Sequence, residues 1–146
     1  TGDQGYRHAF EEIVLPLLQA AAPDALLISA GYDAHHADPL GGMLLTAAGF
    51  ATLARLVLAH HTGPVAAVLE GGYDLTALGR SVAATVDVLA GRSPSAPETH
   101  AGRTAGGPGP AAPAVDDAPP EAEAAYAVVA ARVREIRRVV RDFWPI

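Results

Sequence analysis

The residues of this sequence best suited to chemistry gather in two short glycine-flanked stretches, GYDAHHADPLGG at 31–42 and EGGYD at 70–74. In the first, Asp33 can serve as a metal ligand at the end of a strand, as a helix-capping acid, or as a loop carboxylate that fixes a turn. His35 and His36 offer imidazole nitrogens, yet neighbouring residues in a loop seldom point at one ion, and a solvent-exposed histidine is the commoner outcome. In the second stretch, Gly71 and Gly72 let backbone approach a ligand closely, and the Tyr73 phenol can donate to a developing oxyanion. The competing reading is a tight turn with a tyrosine packed at the strand end. His60 and His61, at the end of a helical pattern, are suited to interaction with its last carbonyls.

Both stretches follow short apolar runs, and the elements around them alternate. Phe10, Ile13, Val14, Leu17 and Leu18 fall on one face of a helix that Asp3 favours at its start, that Pro16 can kink, and that Pro23 and Asp24 stop. Residues 25–29 read as a buried parallel strand, and the loop carrying Asp33 comes next. Thr46 can cap a helix running to about His61, with Phe50, Leu53 and Val57 on one face, before Gly63 and Pro64 end it. A second strand at 65–69 leads into the Tyr73 loop, and Asp74 can cap a helix carrying Leu75, Leu78, Val82, Val86 and Leu89, which Gly91 closes. Helix, strand, helix, strand, helix is the order of an open α/β sheet with right-handed crossovers, in which sites lie at the C-terminal ends of strands.

The remainder divides at two changes of composition. Residues 92–120 are rich in Ala, Pro and Gly, show no hydrophobic period and read as a linker. Residues 121–146 read as an amphipathic helix, with Tyr126, Val129, Val133, Ile136, Val140 and Phe143 spaced 3, 4, 3, 4, 3. Its arginines, Arg132, Arg134, Arg137, Arg138 and Arg141, take the other faces, which read more readily as solvated than as a partner surface. The apolar seam can dock on its own domain or on a second subunit.

Two strands that are apolar on both faces need neighbours at their edges and cover above and below, and typical sheets have about four to six strands. Residues 1–91 are therefore expected to be part of a larger sheet with an edge left open, unless copies pair across that edge.

Of the 146 residues half are apolar, which supports a packed core, and the net charge of -6 argues against direct nucleic-acid binding by phosphate neutralisation. With no cysteine, disulfides and thiolate metal sites are excluded, and imidazole and carboxylate remain as metal ligands. No apolar run reaches the length of a membrane span and no signal-peptide pattern opens the chain, so the cytoplasm is the expected compartment.

Together, SAGYDAHHADPLGG at 29–42 and LEGGYDL at 69–75 resemble, in order and spacing, the two C-terminal motifs of histone deacetylases and the related acetylpolyamine and acetoin-utilisation amidohydrolases. The opening TGDQGYRHAFEEIVLPLL resembles the Gly-Asp turn and helix that precede the first motif, and the closing RDFWPI is more loosely similar to the tails of some bacterial members. The resemblance implies the C-terminal part of an arginase/deacetylase-type open parallel sheet with helices on both faces, within residues 1–91. It implies zinc (Zn2+) chemistry: Asp33 matches the second aspartate of an Asp-His-Asp zinc site, and Tyr73 the tyrosine that polarises the acetyl carbonyl beside the metal. Leu40 matches an apolar position lining the acyl-lysine tunnel, Gly71 and Gly72 the turn that carries Tyr73, and Asp38 a structural loop acid. Glu70 resembles the class II and bacterial members. The implied substrate is acetyl-lysine of a histone or other protein, or an acetylated polyamine.

One departure stands out: the family's Asp-x-His ligand loop and its general-base histidine pair have no match before Asp33. A catalytic zinc usually takes three protein ligands, so this chain alone is expected to be inactive. The alternative expectation is a truncated, catalytically incomplete relative that acts as a binding partner.

Overall fold

A computed structural model describes residues 1–93, 119 and 121–144 of the chain. The linker expected at 92–120 therefore lies almost wholly outside the described residues.

The first helical stretch is α1 (Asp3–Ala9), a π-helical turn (Phe10–Val14) and α2 (Leu15–Ala21). The π turn is the form taken by the expected disturbance at Pro16. Proline has no N–H to give to the carbonyl four residues back, and the Leu15 N–H reaches the Phe10 carbonyl, five residues back. Ala22 ends α2 in a left-handed conformation with φ 43°, its N–H bonded to the Leu18 carbonyl at 3.0 Å.

Strands β1 (Leu26–Ala30) and β2 (Val65–Leu69) pair in parallel, with Leu26 opposite Val65 and Ala30 opposite Leu69. Between them runs α3 (Ala47–His60), and β2 is followed by α4 (Leu75–Leu89). Both helices start with the caps their sequences offer: Gly49 N–H donates to Thr46 Oγ1 at 3.1 Å, and Ala77 N–H to Asp74 Oδ1 at 2.8 Å. The two helices pack on each other through small residues, Ala51 and Ala54 of α3 against Val88 of α4, with Leu58 and Ala84 at the margin. Gly91, at φ +69°, follows α4, and Arg92 folds back to pair with Asp87 at 2.8 Å.

The expected C-terminal helix is broken at Ala125 into α5 (Glu121–Ala124) and α6 (Tyr126–Val140). Helix α6 lies against α1 and the π turn. Val133 is buried there, the Tyr126 ring meets His8 edge-on at 5.7 Å, and Arg137 pairs with Glu12. The seam read from the sequence is only half engaged, since Phe143 is 79% exposed and Ile136 48%.

Among the described residues the sheet has only two strands. The face that carries Leu27, Ser29, Ala66 and Val68 stands open, with Leu27 70% exposed. Such apolar strand faces ordinarily belong inside a larger structure.

Candidate functional site

The loops after β1 and β2 lie side by side because the ladder continues past the strands. Glu70 N–H donates to the Ala30 carbonyl at 3.0 Å, and Tyr32 N–H donates to the Gly71 carbonyl at 2.8 Å. This brings the Asp33 and Tyr73 loops together at the C-terminal end of the sheet. Tyr32 anchors the first loop, its buried ring edge-on to Phe50 of α3 at 5.0 Å.

Asp33 is exposed, and its carboxylate rests over the bare backbone of Gly71: a Cβ on that glycine would lie 3.0 Å from Asp33 Cγ. On the other side Gly41 passes so close to the Asp33 carbonyl oxygen that any Cβ would collide with it. Gly72 has φ +129°, a conformation that side chains rarely adopt, and it is flanked by Leu78 and Tyr32. The Tyr73 side chain beyond it is 56% exposed, and Leu40 is exposed on the neighbouring loop.

Asp38 ties the two loops. Its buried carboxylate accepts from Leu40 N–H at 2.9 Å, Gly41 N–H at 3.0 Å and, across the gap, Tyr73 N–H at 2.6 Å. Burial alone would push its carboxyl up. The backbone N–H groups of Tyr73, Leu40, Gly41 and Asp74 outweigh it and hold the carboxyl below its ordinary value. The structural role expected of Asp38 is what the geometry shows.

His35 departs from the expected exposure. It is buried, it stacks on His36 with ring centroids 4.6 Å apart, and its Nδ1 accepts from Ala37 N–H at 3.1 Å. His60 behaves as anticipated, its Nδ1 lying 2.8 Å from the Leu56 carbonyl oxygen of α3, whereas His61 is buried and its Nε2 lies 3.4 Å from the carbonyl oxygen of Pro64, beyond the helix.

Two supporting roles are not signalled by any local pattern. Asp3 accepts from both Thr46 N–H (2.9 Å) and Thr46 Oγ1 (2.7 Å), fastening α1 to the start of α3. Tyr6 is half-buried, and burial raises its phenol above the ordinary value, with the charge of Asp33 adding to the effect.

Among the described residues no group of three or more His, Asp or Glu side chains is placed to hold a metal ion. Asp33 has the donor type and the exposure of a single ligand, and a zinc site needs about three. The residues present do not by themselves fit a catalytic zinc.

With this geometry in view, the family model for the histone deacetylase domain matches residues 1–89. The chain belongs to the histone deacetylase family. It is 40% identical over 93 residues to histone deacetylase 15 of Arabidopsis thaliana, covering 64% of this chain and 17% of that protein. Among solved structures it is similar to the HDA15 HD domain, with TM-score 0.61 and 40% identity, over 65% of this chain and 27% of that one. It is also similar to the histone deacetylase Clr3, with TM-score 0.62 and 30% identity, over 88% of this chain and 19% of that one. The chain thus spans between 17% and 27% of the length of these histone deacetylases. Its α/β architecture is that of the arginase/deacetylase fold.

Proposed function

We propose that this histone deacetylase segment supplies one metal ligand, Asp33, and the oxyanion-binding tyrosine, Tyr73, to a complete enzyme that hydrolyses an acetylated amine such as acetyl-lysine or an acetylpolyamine. The observation that carries the proposal is the pairing of the two loops, in which Asp38 bonds Tyr73 N–H while the Asp33 carboxylate rests on Gly71. A bound zinc would add Lewis-acid polarisation of the amide carbonyl, with its other ligands coming from beyond the described residues. The Tyr73 hydroxyl would donate to the carbonyl oxygen as negative charge gathers there, a contact that strengthens toward the transition state and so speeds the reaction. Gly71 and Gly72 would let backbone lie against the substrate, and Leu40 would line the passage for its alkyl chain.

The test is deacetylation of an acetyl-lysine peptide and of an acetylated polyamine by the longest protein that carries this sequence. Tyr73→Phe is expected to lower kcat by about 10²- to 10³-fold with metal content unchanged. Asp33→Ala is expected to lose the metal as well as the activity, and the 146-residue chain alone to show neither. Full turnover in Tyr73→Phe would remove that residue from the mechanism, and turnover by the isolated chain would refute the shared site. A carrier that binds deacetylases without hydrolysing either substrate would favour the role of a catalytically incomplete partner, which the open face around Leu27 and Val68 also suits.

A further inference from the structure

The half-engaged helix α6 carries a second stripe. Successive residues turn by about 100° in an α-helix, so Val128, Arg132, Glu135 and Val139, spaced 4, 3 and 4, share one narrow face. That face lies about a third of a turn from Val133, which is buried against the N-terminal part of the chain. All four stripe residues are exposed: Val128 by 66%, Val139 by 50%, and the Arg132 and Glu135 side chains by 73% and 58%. Within one chain Arg132 Nη1 reaches Glu135 Oε2 at 2.8 Å, an exposed pair of little energetic weight.

The order apolar, basic, acidic, apolar complements itself when reversed. We propose that α6 is a homotypic interface, on which a second copy of this chain docks antiparallel about a two-fold axis passing between residues 133 and 134. In that register Val128 meets the partner's Val139, and Arg132 meets the partner's Glu135, with both contacts repeated by symmetry. Each copy keeps its own Val133, Tyr126 and Arg137 contacts, which leave from a different face. Arg134, Arg138 and Arg141 turn away from the seam, so the basic side of one helix does not confront the other. Ile136 and Phe143 lie on the flank of the stripe, on the side toward Val133, and the second helix shields part of their exposed surface. A four-layer contact is small beside stable dimer interfaces, so the association is weak, with a dissociation constant of about 10 to 100 µM.

Sedimentation equilibrium on the longest protein that carries this sequence, from about 1 µM to about 1 mM, tests the proposal. Wild type is expected to approach twice the monomer mass. Arg132→Glu alone, or Glu135→Arg alone, sets like charges across the two-fold axis and should weaken association at least about tenfold. Mixing those two variants in equal amounts sets opposite charges at both layers and should restore dimer, as heterodimer, which no effect on a single helix can imitate. Circular dichroism of each variant confirms that the helix is retained. A monomer throughout, a dimer that persists in the single variants, or a mixture that stays monomeric would each overturn the interface.

Discussion

Asp38 carries a load out of proportion to its size. Its carboxylate accepts from amides on both loops, and the folded chain holds it below the pKa it has when unfolded. The unfolded chain therefore binds more protons at acidic pH. The stabilising contribution is complete above the unfolded carboxylate value of about 3.9 and is lost as pH falls through the lower native value. Urea unfolding of wild type and Asp38→Asn should accordingly show a gap in midpoint that is constant from pH 7 to about 5 and narrows in stronger acid. A gap independent of pH would mean that shape, not charge, makes the contribution. Tyr73→Phe belongs to the same scale, since it removes one donor while the backbone bond from Tyr73 N–H to Asp38 survives.

The elements were largely legible because their signals are local. β2 occupies 65–69 as the apolar run and its Gly-Pro start suggested, β1 is displaced by one residue, and Thr46 and Asp74 cap the helices they precede. The π turn was legible only as a disturbance at Pro16, because the choice between a kink and an i to i+5 turn depends on how α1 and α3 pack around it. The Asp3–Thr46 bonds join residues 43 positions apart, and no periodicity links them. Thr46→Ala removes both the α3 cap and a donor to Asp3. It is expected to cost about 1 to 3 kcal/mol in urea unfolding, and a loss below about 0.5 kcal/mol would show that the two helices hold together without it.

At the scale of the whole molecule, the open strand face separates the chain by itself from the chain in a larger assembly. Leu27→Arg places a charge on a side chain that is 70% exposed, so the isolated chain should tolerate it within about 0.5 kcal/mol. In a longer deacetylase that covers this face, the same change buries an unpaired charge, and thermal unfolding should show a loss of about 3 kcal/mol or more. Equal tolerance in both would mean that the face stays open. That the Asp33 and Tyr73 loops both follow strand ends was readable from two motifs, and the structure sets those loops side by side. The burial of His35 was not, because it depends on the loop folding back along Leu45, whose carbonyl takes the His36 N–H and whose own N–H reaches Ala34.

The shared carboxylate of Asp38 has a mechanical consequence. A loop that swings alone can admit or release a molecule without disturbing its neighbour, but here the amide of Tyr73 and those of Leu40 and Gly41 hang on one hinge pin. A push on the Leu40 loop would be passed through that one side chain to the backbone under the phenol, so the two loops are tied as the two edges of a single jaw.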